Sequence, residues 1–242
     1  KDANNAVHGA VTITKSVKAT AADPTEAYAA EIRGGSVSIG ESLTATTGSN
    51  FVQSTSGDIT IGETLSAGVS STLDSAGNIT VSGDVTGGNL TATAADSILM
   101  KKISIGDKSA ELTAGTAKNT EGNISTWSFT GGTLKANAKG ALTINGGVTA
   151  SGADKWKLAT GEDAPMYAVA LEGYRVSIDS SLTSTAGSIY VKSIGNGIGI
   201  GSVYCYSREN VFRALRRAAE RNETVTFFSH SIRPGNTDWV GM

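Results

Sequence analysis

The sequence is poor in cysteine, in aromatic residues and in charge. Cys205 is its one cysteine, which excludes an intrachain disulfide framework. Aromatic residues make up 6% and charged residues 17% of the 242 residues, less than a compact globule of this length usually carries. Hydrophobic residues reach 39%, so Val, Ile, Leu and Ala must build the core. Such small side chains favour a thin, elongated core in which they stack in rows.

Long apolar runs and basic clusters are also missing. No segment approaches 18 consecutive apolar residues, so no transmembrane helix is predicted. The formal net charge is -2 and no basic stripe precedes residue 208, which argues against a nucleic-acid partner. The two histidines form no metal-binding motif, and we predict neither a metal nor a cofactor. The chain starts at Lys1 without a signal peptide, so we expect a piece or mature form of a longer polypeptide.

What the sequence has in abundance is one short pattern. The stretch Ser56–Gly62 places an Asp at a turn, then alternates apolar and polar residues, and ends on a Gly. Alternation of period two with β-branched residues is typical of a short, half-buried strand. Related stretches are Gly35–Gly40, Gly77–Val81, Gly140–Asn145, Arg175–Asp179 and Gly197–Gly201.

The spacing of these strands predicts a parallel β-helix. Ile39 and Ile61 are 22 residues apart, and Ile61 and Val81 are 20 residues apart. Coils of roughly 20 residues with two or three short strands cannot bury their apolar side alone and must stack on their neighbours. The alternation also predicts that Trp127 and Phe129 point to the same side of one strand. Second strands are predicted to begin at Leu43, Leu65, Leu90 and Leu112.

A longer repeat lies above the coil. Tyr28–Gly34 is echoed by Tyr167–Gly173 at an offset of 139 residues, whereas Gly9–Ile13 matches Gly140–Ile144 at an offset of 131. The difference of eight residues indicates an insertion around residues 154–165, as a loop on one face of a solenoid tolerates. The same offset of 139 relates Val37 to Val176, Ile39 to Ile178, Leu43 to Leu182, Phe51 to Tyr190 and Ile61 to Ile200.

The pattern stops after Gly201. We therefore divide the chain into a β-solenoid over residues 1–201 and a small α/β tail over residues 202–242. Ser207 is a plausible N-cap for a helix over 208–221, and residues 225–228 read as a strand. The tail is either a native cap on the last coil or a fusion remnant.

The coils of residues 1–201, with their repeated Gly-Asp/Asn-Ile-Thr-Ile/Val, resemble bacterial surface proteins of the filamentous-haemagglutinin type and the passenger regions of autotransporter adhesins. The resemblance implies an all-β fold, a right-handed parallel β-helix, at the cell surface or outside the cell. It implies adhesion to a glycan or a host surface protein, or service as a rigid stalk.

The tail resembles a different family. Glu209–Leu215 followed by Val225–Ile232 is similar to the last helix and strand of polysaccharide deacetylases. In that family a His after the final strand assists catalysis, and the resemblance places this role at His230. The Asp-bearing motif and the paired-His metal motif of the family have no counterpart in this chain.

Two further readings concern chemistry. A carbohydrate-active enzyme on a β-helix would need converging carboxylates, and no recognisable motif pairs those of this chain. The Asp and Asn residues at the turns are expected to hydrogen-bond their own backbone rather than bind calcium. The carboxylates considered are Glu31, Glu41, Glu63, Asp154, Glu162, Asp163 and Glu172.

The insertion supplies the candidate binding residues. An exposed Trp156, flanked by Lys155 and Lys157, is suited to stacking on a sugar. The sequence therefore favours a non-enzymatic structural or adhesive protein. A carbohydrate-active β-helix enzyme or a fragment of a polysaccharide deacetylase remains the alternative.

Overall fold

The computed structural model describes residues 9–21, 28–116, 119–157, 165–195 and 197–205. The chain divides into two units, Lys1–Tyr206 and Ser207–Met242, and all described residues lie in the first. The predicted helix at 208–221, the predicted strand at 225–228 and His230 lie outside the described residues.

The described residues form β-strands joined by turns and bends, without a helix, as the short alternating stretches predict. The strands are β1 (Ala10–Ile13), β2 (Val17–Ala19), β3 (Ala30–Gly34), β4 (Ser36–Ile39), β5 (Leu43–Ala45), β6 (Asn50–Ser54), β7 (Ile59–Ile61), β8 (Leu65–Ser75), β9 (Ile79–Val81), β10 (Val85–Ala94), β11 (Ile98–Ser104), β12 (Ser109–Ala114), β13 (Ile124–Gly131), β14 (Thr133–Ala138), β15 (Ala141–Ile144), β16 (Val148–Ala150), β17 (Trp156–Lys157), β18 (Met166–Tyr167), β19 (Val169–Gly173), β20 (Arg175–Ser184), β21 (Ile189–Ser193) and β22 (Ile198–Cys205).

The strands stack in parallel as a β-solenoid of about eight turns, which confirms the predicted fold class. Three stacks of strands form its sides. The first stack runs β1, β4, β7, β9 and then the opening halves of β11, β13 and onward. The second runs β2, β5 and the opening halves of β8 and β10, and the third runs β3, β6 and the closing halves of β8 and β10. Long strands such as β8 therefore bend and serve two sides of the solenoid.

The register confirms the predicted coil length. Ile39 pairs with Ile61, and Ile61 pairs with Val81. The second strands divide differently from the prediction, because Leu43 and Leu65 lie in the second stack whereas Leu90 and Leu112 lie in the third. Each coil therefore uses three strands, and the sequence pattern had merged two of its sides.

The core consists of aliphatic rows that run along the solenoid. Burying one such side chain contributes about 1.5–3 kcal/mol. Since the strands of adjacent coils lie about 4.8 Å apart, each inward side chain packs directly on its equivalent in the next coil. One fully buried row of the first stack is Val37, Ile59, Ile79, Ile98, Ile124, Leu142 and Val176.

Asp and Asn side chains at the turn before the first stack connect one coil to the next. Asp58 Oδ1 accepts a hydrogen bond from the backbone N–H of Asn78 at 2.7 Å, and Asn78 Oδ1 accepts one from Ser97 N–H at 3.1 Å. Farther along, Asn123 Oδ1 accepts from Ala141 N–H at 2.7 Å. We expected these side chains to bond their own backbone, but these three hydrogen bonds reach the following coil, because the equivalent turn lies directly above.

Residues related by the offset of 139 occupy equivalent places. Val37 and Val176 both lie in the first stack, and Leu43 and Leu182 both lie in the second. Strand β22 continues to Cys205, where it pairs with Ser184 of β20. The parallel stack thus extends four residues past Gly201, where the sequence pattern changes.

The insertion leaves the parallel stack as a hairpin. Trp156 of β17 pairs with Tyr167 of β18 in an antiparallel register. The hairpin connects the second stack, which the chain leaves after Ala150, to the third stack, which it enters at Val169.

Candidate functional site

The predicted binding residues lie on the hairpin, outside the third stack. Lys155 donates from Nζ to Ser109 Oγ at 2.8 Å, and its backbone N–H donates to the Tyr167 carbonyl at 3.0 Å. Lys155 and Lys157 are exposed, whereas Trp156 is half-buried. The structure brings Lys155 against Trp156 but does not give the open indole face that we expected.

The Trp156 ring is occupied by cations. Lys155 Nζ lies 4.8 Å and Lys135 Nζ 5.7 Å from the ring centroid. Lys135 in turn forms a 2.8 Å ion pair with Glu111. The indole Nε1 is buried and has no hydrogen-bond partner among the described residues. Cation–π contacts of this kind hold the Trp156 ring against the solenoid, and the binding of a sugar at Trp156 stays a prediction.

A neighbouring carboxylate anchors the same hairpin. Asp154 accepts hydrogen bonds from the backbone N–H and the hydroxyl of Ser188, the latter at 3.0 Å. Ser188 directly precedes β21, the strand of the third stack in the next coil, so the hairpin is attached on both sides of its own coil. Asp154 is therefore a structural acceptor.

The remaining predicted carboxylates are spread over the solenoid. Glu31 pairs with Arg33 at 2.6 Å, and Glu172 pairs with Lys192 at 3.6 Å; both pairs lie on the third stack but six coils apart. Glu41 and Glu63 occupy the bend between the first and second stacks on successive coils. Glu162 and Asp163 lie outside the described residues.

Glu41 is the most strongly tied of these groups. Its carboxylate accepts from Lys15 Nζ at 3.0 Å and from Ser16 Oγ at 2.9 Å. These hydrogen bonds, Lys15 first, hold the pKa of Glu41 below its ordinary value of 4.5. A carboxyl with a lowered pKa stays ionised at neutral pH, which is the opposite of what a general acid needs.

No group of three or more metal-ligating side chains occurs among the described residues. That same part of the chain contains no helix of the length and apolarity needed to traverse a bilayer. A shallow depression open to solvent lies on the first stack between β15, β20 and β22, and Arg175 is its charged lining residue.

The structure exposes a different tryptophan. Trp127 is 63% exposed while Phe129 is 1% exposed, so the prediction that both face the same side is wrong. Strand β13 turns from the first stack to the second between Thr126 and Phe129, and this bend interrupts the alternation. The sequence carried a signal for this, since Trp127 occupies the place where earlier coils have their bend.

The two copies of the long repeat carry equivalent aromatic pairs beside the third stack. The ring centroids of Tyr28 and Phe51 lie 4.9 Å apart, and those of Tyr167 and Tyr190 lie 5.0 Å apart. Arg33 lies 4.4 Å above the Phe51 ring. Tyr28 is 37% exposed and Tyr167 only 4%, because the hairpin covers the second pair.

Comparison of the chain with protein-family models, with curated proteins and with solved structures found no match.

Proposed function

We propose that the solenoid is a structural and adhesive segment of a secreted or surface-displayed bacterial protein. It presents its outer faces to glycans or to host surface proteins, or spaces a binding region from the cell as a rigid stalk. The resemblance of the repeated coils to bacterial adhesins supports this role. The observation that carries it is the uninterrupted parallel pairing of each coil with the next over about eight turns.

Such a stack is suited to serve as a stalk. Eight rungs at about 4.8 Å each give a rod of about 40 Å. Each coil hydrogen-bonds only to its neighbours, so length is added by repeating coils without changing the surface already built. The polar outward residues, largely Ser and Thr along the first two stacks, keep this rod compatible with water.

The test separates adhesion, support and catalysis. Full-length protein is applied to a glycan array and to host epithelial cells, and its persistence as a rod is followed by small-angle X-ray scattering. Binding supports the adhesive role, and a persistent rod that binds neither target supports the stalk. Turnover of a polysaccharide that disappears in the double variant Glu41→Gln, Glu63→Gln would overturn the proposal in favour of an enzyme.

A further inference from the structure

The bend between the first and second stacks places an indole ring in solvent. Thr126 is the last inward residue of the first stack in β13, and Phe129 is the first inward residue of the second. Trp127 therefore points outward and is 63% exposed. The backbone that carries it is fixed, because the Trp127 carbonyl accepts a hydrogen bond from Gly146 N–H at 2.5 Å.

The neighbouring coils place polar side chains and two glycines beside this ring. In the next coil the equivalent bend consists of Asn145, Gly146 and Gly147, so the exposed Asn145 is the counterpart of Trp127 and the two glycines beside it have no side chain. In the preceding coil the bend lies between Met100 and Ile103, so Lys101 is the counterpart of Trp127. Trp127 makes no ring or cation contact with any described residue.

Leu99 and two lysines complete the surroundings. Leu99 pairs in register with Ser125, two residues before Trp127, and is 52% exposed. Lys101 and Lys102 are both exposed, and neither forms an ion pair with a described carboxylate.

We infer that Trp127 and Leu99, together with the ammonium groups of Lys101 and Lys102, bind a pyranose ring of an extracellular glycan. This inference rests on the adhesive part of the proposed function and assigns its ligand class and residues. The apolar C–H face of the sugar packs on the indole, whose π face is electron-rich. The lysines donate hydrogen bonds to its hydroxyl or carboxylate oxygens.

The size of the apolar surface favours a sugar over a folded protein. Trp127 and Leu99 together expose on the order of 200 Å² of apolar surface. A stable protein interface needs about 800 Å² from each partner. One or two sugar rings match the smaller area, and the polar rim of Ser125, Thr143 and Lys101 matches their hydroxyls.

The local charge indicates which class of glycan binds more tightly. Asp84 is the acidic side chain in the coil below Lys102, since Val85 pairs with Ile103. Two ammonium groups against one carboxylate leave a local excess of positive charge. A glycan that carries uronate groups is therefore expected to bind more tightly than a neutral one, and this difference is expected to shrink as salt is added.

The experiment uses the full chain and an array of neutral and uronate-bearing oligosaccharides, with the best ligand then titrated by calorimetry. Trp127→Ala is expected to weaken binding at least about tenfold, as 1.4 kcal/mol of lost contact would do. Trp127→Phe is expected to retain most of the affinity. Tyr174→Ala removes another exposed aromatic ring, outside this bend, and is the matched control. The double variant Lys101→Ala, Lys102→Ala is expected to weaken uronate binding and reduce its salt dependence.

Unchanged binding by Trp127→Ala overturns the inference, as does failure of the wild-type chain to bind any oligosaccharide of the array. Circular dichroism of each variant confirms that the fold is kept, which is expected because the ring lies outside the core. If wild type and Trp127→Ala adhere equally to host cells, the inference fails while the proposed adhesive function stands.

Discussion

Single residues in this protein are constrained by the short distance between successive coils. A Cβ added at Gly62 would lie 2.1 Å from the carbonyl oxygen of Gly40 in the preceding coil. The Gly62 N–H donates a hydrogen bond to the Ile39 carbonyl of that same coil at 2.8 Å, so the two coils cannot move apart without losing it. The backbone of one coil thus occupies the space that a side chain would need. Glycine at the end of the repeated Ser56–Gly62 unit is required for this close approach as much as for a bend.

We expect Gly62→Ala to destabilise the protein by about 1–3 kcal/mol, because the coils must separate locally to admit the methyl group. Chemical denaturation of the full chain measures the effect. Gly199→Ala is the matched control, since the atom nearest to its added Cβ is Ser177 Oγ at 3.9 Å. The control should change stability by less than about 0.5 kcal/mol. Equal effects of the two substitutions would contradict the role assigned to the backbone contact.

At the scale of elements, the strands followed from the sequence more directly than the bends did. The row through Ile39, Ile61 and Val81 followed from spacing alone, because a residue that repeats once per coil must lie above its counterpart. Trp127 was mispredicted because β13 is one continuous strand that turns a corner. Inward and outward residues alternate along each side of the solenoid. At a bend between two sides this alternation is broken, because two outward residues follow one another, as Lys101 and Lys102 do.

Contacts between distant segments were equally hidden in the sequence. Nothing in the spacing of Lys155 and Ser109, which are 46 residues apart, indicates their hydrogen bond. The insertion was recognised as a loop from the change of offset, but its direction depends on hydrogen bonds with coils on either side. Because the insertion was recognised only as a loop, Trp156 was expected to be exposed. In the structure the ammonium groups of Lys135 and Lys155 lie against its ring, and the ring is half-buried.

The attachment of this hairpin can be tested at Asp154. We expect Asp154→Ala to lower stability by about 1–3 kcal/mol, because the hydroxyl and backbone N–H of Ser188 lose a charged acceptor in a half-buried place. Hydrogen exchange at residues 165–168 and 187–190 should accelerate together.

Asp179→Ala provides the comparison for that variant. Asp179 is exposed and accepts a 3.3 Å hydrogen bond from Ser177 Oγ. If Asp179→Ala destabilises the chain as much as Asp154→Ala does, the loss reflects general surface charge and the hairpin is not anchored by Asp154.

For the molecule as a whole, the coil stack predicts a graded rather than uniform stability. Ile59 and Ile61 in the interior of the stack are fully buried, whereas Val11 and Ile13 in the first described coil are only partly buried. Side chains that are only partly buried gain less from stacking on the next coil than fully buried ones do. Local opening should therefore require more free energy in the middle of the solenoid than at β1.

Hydrogen exchange followed by mass spectrometry measures this gradient on the intact chain. We expect amides of β7 and β9 to be protected at least about tenfold more than those of β1 and β2, which corresponds to a difference of about 1.4 kcal/mol in opening free energy.

Ile61→Ala, which removes buried methyl groups at a cost of about 2–5 kcal/mol, should lower protection chiefly in the adjoining coils. Thr60→Ala alters the outward side of the same strand and should leave the gradient intact. Uniform loss of protection across β1 to β21 in Ile61→Ala would instead show that the solenoid unfolds as one cooperative unit and that its coils are not energetically separable.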